Sequence, residues 1–330
     1  MKLDIQTAAK ILVSLLAIGI VFFVLRGVDI RQAGGILLTA NPAFLVAVLL
    51  VQAISMVFRL LRWRFLLRPA QDVPLRTLVA PLLISYAVGN LTVTGVGGVP
   101  RILLLNRRSG IDKGFIAGTW VQEYLLDATA IMLWVAVVPM LVSLPSGFHQ
   151  AQIIAGVCFG VLVAANGLLW WHGSKPTAGL PVGLQARIQN RLPNWVTTEL
   201  NAFGEGLGAS LRDPRCLTGA ALTTVLIWAA EATVFWLLLL SLSIPFGYLQ
   251  ASAVAVFTYL VTGVPAVPGF IGTLELSTVG LVLALGGEQA MALAYAVLLR
   301  LFFIGPVTVA GGLLAWREGW RIARLDGGGG

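Results

Sequence analysis

The chain has 330 residues, 58% of them apolar and only 11% charged, with a mean hydropathy of +0.90. An average soluble domain is roughly 45–50% apolar and about 25% charged, so the composition excludes the familiar soluble enzymes and points to a polytopic all-α membrane protein. A net charge of +8 does not imply nucleic acid as a partner, because the basic residues gather at the ends of apolar stretches, where positive charge sets membrane orientation.

In chain order, six full transmembrane helices are expected at about 8–25, 42–67, 116–143, 150–171, 217–241 and 289–316. Each has about the 20 residues needed to cross ~30 Å of hydrocarbon. The first is too long, and too weakly followed by small residues, for a cleaved signal peptide. Two further apolar regions, 76–105 and 249–285, are interrupted by Gly89, Gly95, Gly97, Gly98 and Pro100, and by Gly263, Pro265, Pro268, Gly269 and Gly272. Both read as broken, re-entrant helical hairpins. Cys158 and Cys216 lie in or beside apolar spans, so neither a disulfide framework nor a thiolate metal cluster is expected.

Lys and Arg in short loops favour the cytoplasmic side. Arg62, Arg64, Arg68 and Arg76 put the loop after the second span inside, as do Arg107, Arg108 and Lys113 for the end of the first broken region. The 144–149 and 242–248 loops, without Lys or Arg, are expected outside, and the basic 172–215 segment inside. Arg317, Arg321 and Arg324 place the C-terminus inside, and six crossings place the N-terminus there too. The first broken region then starts and ends inside and the second outside.

Residues 86–127 and 259–303 form a weak internal repeat. Tyr-Ala-Val-Gly through Gly-Gly-Val-Pro-Arg stands against Tyr-Leu-Val-Thr-Gly through Pro-Gly-Phe-Ile-Gly-Thr-Leu-Glu, each followed by a long helix. The first half carries Arg101 and then Glu123, and the second Glu275 and then Arg300, with signs exchanged. The spacing from Gly110 to Glu123 equals that from Gly287 to Arg300. These features predict an inverted repeat, about 74–143 and 248–317, within one membrane domain covering 1–330. Such repeats with paired broken segments point to a transporter's midplane site. Charges at a helix centre cost about 2.5–3.5 kcal/mol even on insertion scales, so Arg101, Glu123, Asp127, Glu275 and Arg300 are expected either to bind substrate or to form buried pairs that fix packing. Gly97, Gly98, Pro268, Gly269 and Gly272 are the expected backbone or gate positions. Glu231 fits a helix–helix hydrogen bond or the cavity, and Arg59, Arg62 and Arg64 read as snorkelling anchors at a helix end. Gly114–Gly118 and Gly156–Gly160 match the small-xxx-small packing pattern.

No ATP-binding Gly-x-x-x-x-Gly-Lys motif, zinc-type His-Glu-x-x-His or aspartate-rich prenyl-diphosphate motif is present, so no cofactor or metal is expected. Pro145-Ser146-Gly147-Phe148-His149 has one residue too many for the Pro-Ser-Gly-His element of membrane lipid phosphatases.

Arg62-Trp63-Arg64 with Leu66-Leu67, Asn90-Leu91, Gly97 to Arg101 followed by Leu-Leu-x-Arg-x-x-Gly, Glu123 with Asp127, Pro268-Gly269 with Gly272 and Glu275, and Arg300 together resemble the transmembrane, flippase-like region of the lysylphosphatidylglycerol synthase family. The chain differs from the family pattern at Gly98 or Val99, at Tyr124 and after Asn90-Leu91. The family's soluble aminoacyltransferase domain has no counterpart before the Gly-rich end, so lysyl-lipid synthesis is not implied. The resemblance implies a non-enzymatic transporter of phospholipid or of polyprenyl or hopanoid lipid in the bacterial inner membrane. In such a transporter Arg101 and Arg300 are expected to bind the phosphate of an anionic or zwitterionic headgroup, with Glu123, Asp127 and Glu275 holding those arginines when the site is empty or binding a cationic headgroup. The alternative is an accessory subunit presenting lipid to a partner synthase or glycosyltransferase, for which the basic amphipathic segment 183–212 would provide a surface.

Overall fold

Within hydrocarbon a chain must satisfy its backbone N–H and C=O groups internally, which for apolar runs of this length means helices. The computed structural model describes residues 30–92, 96–142, 148–172, 194–262 and 270–326, and all regular structure among them is helical. In order, the helices are α1 Ile30–Leu38, α2 Pro42–Leu67, α3 Leu75–Leu91, α4 Gly98–Ser109, α5 Lys113–Leu141, α6 Phe148–His172, α7 Asn194–Arg212, α8 Pro214–Ser241, α9 Tyr248–Thr262, α10 Thr273–Ala284, α11 Gln289–Leu299 and α12 Gly305–Asp326. A π turn, Arg300–Ile304, joins α11 to α12.

Five helical segments are long and apolar enough to cross a membrane: α2, α5, Gln152–Leu169 of α6, α8, and the α11–α12 run Gln289–Gly319. The sixth expected span, 8–25, lies outside the described residues. Helices α2 and α8 start by the same local rule: Asn41 and Asp213 accept hydrogen bonds from the backbone N–H of Ala43 and Arg215, at 3.0 and 2.9 Å, with a proline in the first helical position. The capping oxygen satisfies a donor that has no partner inside the helix, and proline has no N–H to orphan there.

The two interrupted regions resolve into α3 with α4 and α9 with α10, all too short to span. Each second helix is followed by a glycine in the left-handed region, Gly110 at φ 76° and Gly286 at φ 88°, before the next long helix begins. The two halves thus share an order of elements: short helix, interruption, short helix, left-handed glycine, long helix.

Helix α8 is the most enclosed span, with 61% of its apolar window buried, whereas α6 has only 6% and turns most of its surface outward. Along α8, Phe235, Leu238 and Leu239 pack into one core with Val254, Tyr295 and Leu299; a second core joins Trp63, Leu78, Leu82, Leu105 and Ile116. Burial of this kind cannot draw on the hydrophobic effect within lipid, so close packing has to hold the bundle. Glycines supply it: a Cβ at Gly118 would overlap the carbonyl of Phe203 on α7, and one at Gly206 the carbonyl of Phe115 on α5. The backbone N–H of Gly114 donates to Glu199 Oε2 at 2.6 Å. Of the segment expected to be a free amphipathic surface, 183–212, residues 183–193 lie outside the described residues. The remainder is largely α7, which packs along α5 with Ala202, Ser210 and Leu211 buried. A Cβ at Gly156 or Gly160 would meet nothing within 4 Å among the described residues, so that pattern mediates no close approach there.

Candidate functional site

Helix α2 is apolar apart from Gln52, Ser55, Arg59, Arg62 and Arg64 toward its second half. Spacings of three and four place Gln52, Ser55, Arg59 and Arg62 on one face of the helix, with Arg64, two residues on, turned away from it. Arg59 and Arg62 do not snorkel, as their place near the helix end led us to expect: Arg62 is 1% exposed and Arg59 has a 13% exposed side chain. They turn inward because unpaired carboxylates wait on the facing helices. Arg62 makes a two-pronged contact with Asp127 of α5, Nη1 to Oδ1 at 2.6 Å and Nη2 to Oδ2 at 2.9 Å, and Trp228 Nε1 donates to Oδ1 at 3.1 Å. Arg59 donates to Glu231 of α8 at 2.6 Å and to the Tyr86 hydroxyl at 2.9 Å. Glu231 also accepts from Ser55 at 2.9 Å and from the Tyr259 hydroxyl at 2.8 Å, so it serves both the helix contact and the cavity. Only Arg64 behaves as a surface anchor. It bonds Asp72 in the following loop at 2.9 Å, and this guanidinium holds the Asp72 carboxyl below the usual carboxylate range.

The third pair belongs to the first interrupted region. Arg101 of α4 donates from Nη1 to Glu123 Oε2 of α5 at 2.6 Å, and its guanidinium stacks on the Trp63 ring with 3.7 Å to the centroid. A stacked, bidentate-capable guanidinium is the form of buried cation that loses least on leaving water. Its Nε and Nη2 nevertheless have no hydrogen-bond partner among the described residues and are fully buried. Arg101 reaches this position because α4 starts directly against α3: a Cβ at Gly97 would lie 2.6 Å from the Ser85 carbonyl, and one at Gly98 would overlap the Trp120 ring.

The three pairs line one cavity of about 620 Å³ between α2, α3, α4, α5, α8, α9 and the π turn. Its remaining wall is largely aromatic and apolar, with Tyr86, Trp120, Tyr124, Trp228, Tyr259 and Phe303 among the lining residues. Asn90 lines it too and donates to the Thr308 hydroxyl at 2.9 Å. In the π turn, the Phe303 carbonyl accepts from Gln52 Nε2 at 3.0 Å.

Of the five charged residues singled out in the sequence, Arg101, Glu123 and Asp127 therefore share the cavity, with Asp127 holding Arg62 rather than Arg101. Glu275 and Arg300 do contact each other, Nε to Oε1 at 2.6 Å. They do not line the cavity, whose nearby wall is Phe270, Leu274, Phe303 and Ile304. Glu275 additionally accepts from the backbone N–H of Gly272 at 2.9 Å, and Arg300 donates to the Phe270 carbonyl at 3.2 Å. Gly272, at φ 84°, is needed for the turn that starts α10, because a side chain is strained there. Pro268 and Gly269, like the 144–149 loop with its phosphatase-like element, lie outside the described residues or, for Phe148 and His149, begin α6. Arg59, Arg62, Tyr86, Trp228 and Tyr259 were not expected in the site. One signal was available: Glu123, Asp127 and Glu231 are three carboxylates in apolar spans, and Arg101 can neutralise only one of them.

A bundle of membrane-length helices around an ion-paired polar cavity defines a multi-pass membrane protein with an internal chamber. The chain belongs to the family described as the lysylphosphatidylglycerol synthase TM region, whose model matches residues 8–311. It is 23% identical over 326 residues to a UPF0104 membrane protein of Pyrococcus horikoshii, covering 94% of this chain and 97% of that one. A UPF0104 membrane protein of Methanothermobacter thermautotrophicus is 23% identical over 324 residues, covering 87% and 88%.

Proposed function

We propose that this protein is a non-enzymatic lipid translocator of the flippase type, which takes a lipid headgroup into the ion-paired cavity while the acyl chains stay in lipid. The observation that carries this reading is the cavity itself: three buried ion pairs and an aromatic wall around about 620 Å³, within the range of small-ligand sites. A purely structural set of ion pairs needs no open volume beside it, since packing against apolar side chains is at least as stable.

In this reading Arg101 is the phosphate contact, drawn out of its buried place by the headgroup, because Nε and Nη2 have no partner among the described residues and guanidinium suits the paired oxygens of phosphate. Glu123 holds Arg101 when the site is empty. The interrupted segments α3–α4 and α9–α10 act as gates opening to opposite sides, as an inverted repeat would require. The Glu275–Arg300 pair, outside the cavity, latches α10 to the α11–α12 helix. Both termini are cytoplasmic, and the membrane is the bacterial inner membrane.

The test is reconstitution. Proteoliposomes with fluorescent phospholipid should expose inner-leaflet label to an external quencher faster than protein-free vesicles. Arg101→Gln should slow this by about tenfold or more, the scale of one lost charge-assisted contact, without reducing insertion. Equal rates with and without protein would remove the reading.

A further inference from the structure

We infer that the cavity accepts a lipid headgroup of zero net charge that carries both signs, of the phosphate–ammonium class, in preference to a net anion or a net cation. This rests on the reading of the cavity as a headgroup site, and it adds what that site selects.

Charge balance is the first observation. Among the described residues, the ionisable ones lining the cavity, apart from tyrosines, are Arg59, Arg62, Arg101, Glu123, Asp127 and Glu231, three of each sign. They are matched one to one, each pair closed at 2.6 Å. In sequence, 93–95 and 263–269, which fall between the lining residues Asn90 and Gly97 and between Thr262 and Phe270, contain only Val, Thr, Gly, Ala and Pro. A net anion entering such a chamber would be an uncompensated charge in a weakly polarisable surrounding, or would have to break a pair and strand a carboxylate. A net cation would strand a guanidinium in the same way. A zwitterion leaves the sum unchanged.

The second observation is where hydrogen-bonding capacity remains. Both oxygens of Asp127 accept from Arg62, and both oxygens of Glu231 are taken, by Arg59 and Ser55 on one and Tyr259 on the other. Glu123 differs: only Oε2 is bonded among the described residues, to Arg101, and Arg101 itself keeps Nε and Nη2 without a partner. Arg62 Nε and Gln52 Oε1 in the lining also have no partner among the described residues, but of the three ion pairs only Arg101–Glu123 keeps spare donors and a spare acceptor together. Arg101 Nε and Nη2 are closed to the cavity as it stands, so entry of a headgroup includes a shift of this guanidinium off the Trp63 ring; the phosphate then satisfies its donors and the ammonium the free oxygen of Glu123, and one ion pair is exchanged for two with no change in total charge. Trp120 and Tyr124, three before and one after Glu123, line the same cavity and pack edge to face at 5.4 Å. Aromatic faces beside a carboxylate suit an ammonium group, including one whose methyl groups prevent hydrogen bonding.

The experiment measures binding apart from movement. The full chain in nanodiscs would be offered phosphatidylethanolamine, phosphatidylcholine, phosphatidylglycerol and a synthetic quaternary-ammonium lipid with no phosphate, and retained lipid counted against empty discs. Retention of the two zwitterions should exceed that of either charged lipid by about tenfold, a modest discrimination for one unpaired charge. Glu123→Gln leaves one excess positive charge and should move the preference toward phosphatidylglycerol; Arg101→Gln should move it toward the cationic lipid. The double variant restores balance and should lose affinity for all four without gaining a charge preference, which also checks that a shift in the single variants is not misfolding. Equal or greater retention of phosphatidylglycerol by the native chain, or single variants whose preference does not follow the sign of the change, would overturn the inference. Competition by soluble glycerophosphoethanolamine as effective as the lipid would overturn its lipid part. Zwitterion-selective retention without movement between leaflets would leave the inference standing and remove translocation instead.

Discussion

Arg101 and Glu123 are 2% and 5% exposed, and their pairing makes a direct statement about stability. Replacing Glu123 with Leu leaves the guanidinium buried without a counter-ion, which costs about 3–5 kcal/mol in comparable pairs, whereas exchanging both partners for apolar residues of similar volume is often neutral. Thermal unfolding in detergent should therefore rank Glu123→Leu well below the Arg101→Met plus Glu123→Leu double variant, with the double close to the native chain. Equal destabilisation by both would mean that the Trp63 stacking, not the ion pair, holds Arg101. At this scale the sequence was half readable. The contacts of Arg101 with Glu123 and of Arg300 with Glu275 followed from their lone positions in apolar helices. The inward turn of Arg59 and Arg62 did not, because it depends on how α2 is rotated about its axis. A helix apolar on nearly all sides carries little record of that rotation.

Between elements, the close approaches of α5 with α7 and of α3 with α12 depend on missing side chains. A Cβ at Gly311 would overlap the Leu83 carbonyl, while the adjacent Gly312 has nothing within 4 Å. Gly311→Ala should therefore lower the unfolding temperature, and Gly312→Ala should leave it unchanged or raise it by up to about 1 kcal/mol equivalent, the gain from replacing glycine in a helix. Gly118→Val should likewise detach α7 from α5, read as faster proteolysis at 194–212. If both α12 variants behaved alike, the α3–α12 contact would not be what holds that helix. The two interruptions were visible from clustered Gly and Pro, and the five observed spans begin within three residues of their expected starts. The docking of α7 was hidden, since its alternation of apolar and polar residues fits a membrane surface as well as a glycine-lined helix.

For the whole molecule the open question is orientation. The Lys and Arg asymmetry of the loops argues that both termini and the 172–215 segment face the cytoplasm. With Cys158, which is exposed, and Cys216, which is buried, both replaced by Ser, an impermeant maleimide added outside should label Ser146→Cys and Ser243→Cys but not Ser174→Cys. The opposite pattern would invert the protein and with it the assignment of the gates. Bundle architecture was legible because apolar length alone dictates spanning helices. The cavity was not, because a chamber is a property of several helices at once and no stretch of sequence contains it.

The π turn at Arg300–Ile304 divides one long helix into two phases. Each residue of an α-helix advances about 100°, and a turn closed by the Gly305 N–H on the Arg300 carbonyl holds one residue more than usual. The half before it is set by Arg300 against Glu275 on α10, and the half after it by Thr308 against Asn90 and Gly311 against Leu83 on α3. A uniform helix could be in step with only one of these neighbours. The extra residue works as a fixed angular offset in a shaft, letting the second interrupted region and the first grip the same helix at different settings.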